Sequence, residues 1–548
     1  MNQSPHLTSF DRLRTEQFDV LVVGGGMTGC GVAVDAASRG LSVALIERED
    51  LASGTSSKSS KMVHGGLRYL QQREFALVYE NLRERQRLLE NAPHLVSPLP
   101  FLIPLFGKNG VVSKAVARSY RTALWLYDIT GGIRIGKRHR RIDQAETLAH
   151  FPTLNTQRLV AGFLYYDAKG DDARVALTLA RSAEDRGAVI ANYSSVTGYL
   201  TEGDRVIGVM ANPSRGPHAG ESIAVRAKVV VNAAGVWADE VHNLDGETQA
   251  SIRPAKGVHI CVPADRLPCD IAAVIPIIKD KRSIFVVPFE GLPFTYVGTT
   301  DTDYDGPLED PRCDAEDVNY LLDAVNALTS ANLTSDDVTG VWAGLRPLIK
   351  PVEGHTLRKR TADLSRRHRV KHERPGLVSI TGGKWTTYRQ MAEDGVDAVM
   401  EELKVKAKCK TTNLRLHGYA NTAPKIDGLT TEEAHFLWRR FGSDALAVAE
   451  IMADDPSLAE AIVPGLPYRM AEVAFAVRQE WALTLADVLE RRTRLSIVDA
   501  AAAIKAAPKV AALMAKELFW DADSTQAQID DATSRISADL KAAGLEQE

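Results

Sequence analysis

Residues 19–47 read DVLVVGGGMTGCGVAVDAASRGLSVALIE, and their order decides the fold. Asp19–Val23 is a short apolar run of strong β propensity, which predicts a buried strand. Gly24, Gly26 and Gly29 follow at G-x-G-x-x-G spacing and open a small-residue helix from about Met27 to Ser38. A second apolar strand, Val43–Ile46, ends in Glu47, roughly 20 residues beyond the glycines. A lone glycine cluster is more often a plain turn. Strand, glycines, helix, strand and acid in this order make the dinucleotide-binding βαβ fingerprint of a doubly wound α/β sheet. The glycines let backbone N–H groups approach a pyrophosphate at the helix N-terminus, where the helix dipole favours negative charge. Met27 and Thr28 occupy that first turn. Glu47 is placed for a ribose hydroxyl, and its charge disfavours a 2′-phosphate. The fingerprint alone does not separate a nicotinamide from a flavin dinucleotide.

The next stretch, 52–69, reads ASGTSSKSSKMVHGGLRY. Its hydroxyls offer donors for further phosphate and ribitol oxygens, although composition alone also suits a flexible linker. Here, and in VNAAGVWAD (231–239), KGVHI (256–260), VGTTDTDY (297–304), GLRPL (344–348) and TGGKWTTYR (381–389), the chain resembles the quinone-linked, FAD-dependent glycerol-3-phosphate dehydrogenases. The resemblance spans about 18–400 in family order and continues more weakly to the C-terminus. It implies non-covalent FAD, oxidation of sn-glycerol 3-phosphate to dihydroxyacetone phosphate, a membrane quinone as acceptor, and a homodimer. It also implies cofactor contacts from Thr55, Ser56, Ser57, Ser60, Lys61, His64, Gly65, Gly66, Val196, Ala233, Gly235, Gly344, Gly383, Lys384 and Thr386.

Oxidising a secondary alcohol with a flavin needs a base for the hydroxyl proton and a grip on the phosphate. A dianionic phosphate calls for arginine and lysine. Arg68, Arg346, Arg366 and Lys384 are basic residues in suitable strings, and the resemblance makes them substrate ligands, with Tyr69 lining the pocket. The register around Arg366 is loose, so Arg367 and Arg358 remain alternatives. Two histidines compete as base: His259 on a strand the resemblance turns toward substrate, and His64 beside the paired glycines, which also suits positioning the flavin. Histidine's ordinary pKa near 6.5 suits either. Thr299 is expected to hydrogen-bond substrate hydroxyls, and Arg346 to stabilise oxygen, because arginine is too basic to serve as the base.

At 548 residues the chain predicts two or three domains. The expectation is a Rossmann-type FAD-binding domain assembled from about 18–92, 150–240 and 340–400. A β-rich substrate-capping domain (93–149 and 241–340) and a C-terminal all-helical domain (410–548) complete it. Residues 1–17 read as a polar lead-in, and 469–490 and 498–519 as helices. A net charge of −4 gives no overall attraction to nucleic acid. The five cysteines have no close metal-ligand pairing, so neither metal nor structural disulfide is expected. Neither a signal peptide nor a membrane-spanning run is evident. Between Lys108 and Arg141 nine basic residues face one acid, Asp128, with Leu124, Trp125, Leu126 and Tyr127 interleaved. This predicts either a solvated helix face or contact with an anionic lipid surface, and the resemblance favours the lipid, placing the protein on the cytoplasmic face of a membrane. Competing readings are an oxidase that passes electrons to O2, an amine or amino-acid oxidase, and a non-catalytic flavin protein that docks on membranes.

Overall fold

The computed structural model describes residues 5–67, 69, 74–107, 114–216, 218–246, 250–277, 282–350 and 367–545. Along the chain, after an opening helix, come β1 (Gln17–Val23), α1 (Met27–Ser38) and β2 (Val43–Ile46). Next are α2 (Phe75–Asn91), β3 (Val96–Phe106), α3 (Lys114–Ile129) and β4 (Leu159–Gly170). They are followed by α4 (Asp172–Glu184), β5 (Val189–Ala191) and β6 (Ile223–Asn232). The antiparallel run is β7 (Ile252–Pro263), β8 (Ala272–Pro276), β9 (Ser283–Pro288), β10 (Phe294–Gly298) and β11 (Gly340–Ile349). β12 (Leu377–Gly382) and α5 (Tyr388–Leu403) lead out of it.

The first sheet has the parallel order β12-β6-β1-β2-β5, so the strand after the fingerprint glycines lies beside β1 and β6 returns on its other side. Its central strands are near-continuous Val, Ile, Leu and Ala, as strands covered on both faces require. α1 packs between α4 and α5 on one face. On the other face lies a helix, Pro5–Thr15, with Phe10 and Leu13 buried. The opening segment is therefore part of the packed fold and not only a polar lead-in, because those two apolar side chains fall on one helical face.

The second sheet runs β7-β10-β9-β8-β3-β4, with β11 on the free edge of β7. β3 contains Pro98, Pro100 and Pro104 at alternate positions. Their missing N–H groups all fall along one edge, which a strand tolerates and a helix does not. Beyond residue 410 the chain is helical around its own apolar core. The expected helix over 469–490 is interrupted: Met470–Gln479 ends, Trp481 adopts φ +55°, and a π-turn spans Asp487–Arg492. The break carries Trp481 out of the helical core into the core of the first sheet, where its carbonyl accepts from Asn192 Nδ2 at 2.9 Å.

Candidate active site

A cavity of about 1230 Å³ runs from the C-terminal ends of β1, β2 and β6 to the inner face of the second sheet. Its nucleotide end is built by the fingerprint. Gly24 adopts φ +111°, and a Cβ there would stand 2.7 Å from the Ala233 carbonyl oxygen. Gly29 lies under the turn, where a Cβ would overlap the Gly24 oxygen. The N-cap of α1, Gly26, carries no side-chain cap, which leaves the helix start open to an anion. Ser56 Oγ reaches across to accept from Met27 N at 2.8 Å. Glu47 accepts from Gly25 N at 2.6 Å and Glu49 N at 2.9 Å. Burial pushes its carboxyl up, against those two hydrogen bonds. Cys30 is buried beneath the turn, where burial pushes its thiol up.

At the other end, β7, β10 and β11 lie side by side, pairing His259 with Gly298 on one edge and with Trp342 on the other. The imidazole stacks on the Trp342 indole with ring centroids 4.6 Å apart and 7° between planes. Gly298 makes room for it, since a Cβ there would come within 2.0 Å of His259 Cδ2. His259 is only 2% exposed, and its Nε2 is hydrogen-bonded at 2.7 Å to the hydroxyl of Ser60, which lines the cavity. Burial, with Lys61 and Arg346 nearby, pulls its pKa well below the usual 6.5, so the ring is neutral near pH 7.

Four residues along β11 from Trp342 and two from Gly344, on the same face, stands Arg346. Its Nη2 donates to Thr299 Oγ1 and Thr300 O, each at 3.2 Å, and its Nη1 pairs with Asp301 at 3.3 Å. Opposite, Lys384 Nζ sits 3.8 Å from the Tyr69 ring centroid.

The cavity thus brings together Gly24, Gly26, Met27, Thr28, Glu47, Thr55, Ser56, Ser60, His64, Gly66, Tyr69, Val196, Ala233 and Gly235 from the sequence expectation. From the same expectation His259, Thr299, Gly344, Arg346, Gly383, Lys384 and Thr386 also line it. Four expected cofactor residues do not line it. Gly29 and Gly65 lie behind it in close packing, a Cβ on Gly65 meeting Tyr127 Oη at 2.5 Å. Ser57 lines an adjoining cavity of about 570 Å³ that shares Gly54, Thr55 and Lys58 with the first. Lys61 does not line the first cavity but is buried and paired with Asp172, which does, 3.2 Å off. Arg367 is exposed and does not line the cavity, whereas Arg68, Arg358 and Arg366 lie outside the described residues. Sequence reasoning missed Trp342 and Asp301. Trp342 is four residues before Arg346, a strand spacing that points both to one face.

Residues 19–389 match the family described as FAD dependent oxidoreductase, and 382–525 match the C-terminal domain of alpha-glycerophosphate oxidase. The chain is 41% identical over 545 residues to glycerol-3-phosphate dehydrogenase 2 of Mycobacterium tuberculosis, covering 97% of this chain and 90% of that one. The chain belongs to the glycerol-3-phosphate dehydrogenase family of FAD-dependent oxidoreductases. It is also 37% identical over 544 residues to the mitochondrial glycerol-3-phosphate dehydrogenase of Mus musculus, covering 95% of this chain and 73% of that one. Among solved structures, the glycerol-3-phosphate dehydrogenase from Bacillus halodurans complexed with FAD superposes with a TM-score of 0.78 at 30% identity, covering 97% and 98% of the two chains. FAD is the cofactor of this family member, and the uncapped start of α1, the crowded Gly24 turn and Glu47 suit a pyrophosphate-linked dinucleotide.

Proposed function

We propose that the protein oxidises sn-glycerol 3-phosphate to dihydroxyacetone phosphate and that its electrons pass to a membrane quinone. The observation that carries this reading is one cavity holding a neutral buried histidine, His259, together with two cations, Arg346 and Lys384, beside a dinucleotide cradle. FAD, when bound, supplies the hydride acceptor at its N5. The residues do the rest. Arg346, held by Thr299, Thr300 and Asp301, presents its guanidinium edge to the substrate oxygens. Lys384, fixed over Tyr69, supplies charge for the phosphate, and Arg68 and Arg366 join it by resemblance to the family. His259 is the base. Because its ring is almost wholly buried, the proton reaches it through Ser60: the Ser60 hydroxyl passes its proton to His259 Nε2 as it takes one from the substrate hydroxyl.

The basic, aromatic segment around α3 supports peripheral contact with an anionic membrane, where a quinone would be met. Among the described residues, no helix is long and apolar enough to cross a membrane. The match of 382–525 to a domain named for an oxidase sustains a second reading, in which O2 is the acceptor. Anaerobic addition of glycerol 3-phosphate to the yellow protein tests both. Bleaching of the flavin band near roughly 450 nm, reversed far faster by a quinone analogue than by air, is the expected result. Fast reoxidation by air with peroxide release moves the acceptor to O2, and a band that does not bleach removes the substrate.

A further inference from the structure

We infer that the C-terminal helical domain sets the geometry of the reaction site, with Arg494 as a positioning residue that holds the 57–61 loop so that Ser60 meets His259. The inference rests on the reading of His259 and Ser60 above.

The geometry begins with the backbone. After the π-turn Asp487–Arg492, Arg494 takes a left-handed conformation with φ +63°, which non-glycine residues adopt at some cost. The turn directs Arg491, Arg492 and Arg494 out of their own domain into the nucleotide-binding half. Arg491 Nε reaches Asp50 at 2.5 Å, and Arg492 grips the same carboxylate through two nitrogens at 2.7 and 2.9 Å. Asp50 sits two residues before Ala52, whose N–H donates to the fingerprint carbonyl of Gly25 at 3.0 Å. The near end of the loop is therefore pinned.

Arg494 pins the far end. It donates to the Ser57 carbonyl at 3.0 Å, forks onto Asp171 at 2.8–3.2 Å, and pairs with Asp172. Asp172, with no exposed side-chain surface, passes the constraint on: it accepts from Ser59 N at 2.8 Å and pairs with Lys61 at 3.2 Å. Ser60 is thus bracketed on both sides by residues tied to one carboxylate. Its carbonyl accepts from Tyr296 Oη at 2.9 Å, leaving its hydroxyl directed at His259 Nε2. This places Lys61, which does not line the cavity, in a structural part of the same bracket.

Arg494, Asp172 and Lys61 are buried and Asp171 is partly exposed, so removing Arg494 leaves buried charge uncompensated, whereas the pairing fixes a unique arrangement. A loop shift of order 1 Å at Ser60 costs about 10²-fold in rate. Arg494→Ala is therefore expected to slow anaerobic flavin reduction at saturating substrate about 10²-fold, with KM changed much less. The visible circular dichroism of the oxidised holoenzyme, which needs no turnover, is expected to change as the loop lining the cavity relaxes. Arg494→Lys, which keeps charge but not the fork, should fall between the two proteins. Arg478→Ala, which breaks an exposed pair with Glu517 inside the helical domain, should match the unmodified protein in both readouts. Should Arg494→Ala not fold, Asp171→Asn replaces it: asparagine still caps α4, where Asp171 accepts from Arg174 N, but no longer pairs with Arg494. A folded variant at position 494, or at 171 in its place, with unchanged reduction rate and unchanged dichroism overturns the inference. Unimpaired flavin reduction in His259→Asn overturns the reading of the base, while the dichroism of the Arg494 variants still reports on the clamp.

Discussion

His259 owes its position to three strands. Its partners across the ladder are a glycine that yields space and a tryptophan that stacks, so the ring has one place to lie. Its Nε2 then faces Ser60 and the cavity. Replacing it with asparagine is expected to lower kcat for glycerol 3-phosphate by about 10²–10⁴-fold, with KM held within a few fold because Arg346 and Lys384 are untouched. Steady-state kinetics with a soluble dye acceptor measures both. The same burial fixes a pH signature. Buried, and with Lys61 and Arg346 disfavouring a further positive charge, His259 protonates only well below 6.5. The acid limb of the kcat/KM profile should therefore lie below that value, with activity lost as pH falls through it and none lost between pH 6.5 and 8 on its account. A limb at or above 6.5 that persists in His259→Asn belongs to another group.

At the scale of elements, the sequence discloses what is local and hides what is paired at a distance. The fingerprint is contiguous, so β1, α1, β2 and their glycines were legible from spacing alone, as was α2 from its apolar stripe. The inward aim of His259 and Arg346 came from resemblance, and their partners Trp342 and Asp301 did not, since each meets its partner from tens of residues away in the chain. That Lys61 does not line the cavity was not legible, because a Ser/Lys loop gives no sign of which side chains face inward, and its partner Asp172 lies more than a hundred residues on. Trp481 likewise breaks a helix for a core that the helical period does not know about.

The docking of the helical domain offers an element-scale test in His417, which lies between Asp185, just past α4, and Asp444, at 2.7 and 2.8 Å. Burial works against its charge, but the two carboxylates outweigh it and raise its pKa to about 9. A value raised above the unfolded one contributes stability that is fully present below about 6.5 and lost as pH rises through the folded value. His417→Asn is expected to lower the thermal midpoint by roughly 2 °C at pH 7. That gap should close as pH passes 9, when unmodified His417 is itself neutral. A gap that is constant from pH 6 to 10 shows that the ring contributes packing alone.

At the scale of the whole molecule, the described residues include a surface on which apolar and basic groups alternate. Along α3, Leu124 and Tyr127 are buried, so the opposite face exposes Trp125 and Ile129, at 57% and 59%, beside exposed Arg118 and Arg121. The N-terminal turn of α2 adds exposed Phe75 and Tyr79, and Arg134 lies 4.9 Å from the Tyr79 ring, joining the two helices into one patch with Ile133. Large side chains left in water cost free energy that an acyl boundary recovers, at about 1.5–3 kcal/mol for each one fully buried. Basic groups around them add attraction to anionic headgroups that salt screens within about 10 Å at 0.1 M and 3 Å at 1 M. None of the residues of this patch lines the cavity that holds His259 and Arg346, so binding and chemistry should separate. Trp125→Ala with Ile129→Ala is expected to weaken co-sedimentation with phosphatidylglycerol-containing vesicles by at least tenfold, each lost side chain removing roughly 1.5 kcal/mol or more. The rate with a soluble acceptor should stay unchanged. Arg121→Glu should weaken binding at 0.1 M salt and make little difference at 1 M, because only the screened part of the attraction is touched. Equal sedimentation of the double variant and the unmodified protein would leave this surface a solvated helix face and place any membrane contact elsewhere on the molecule.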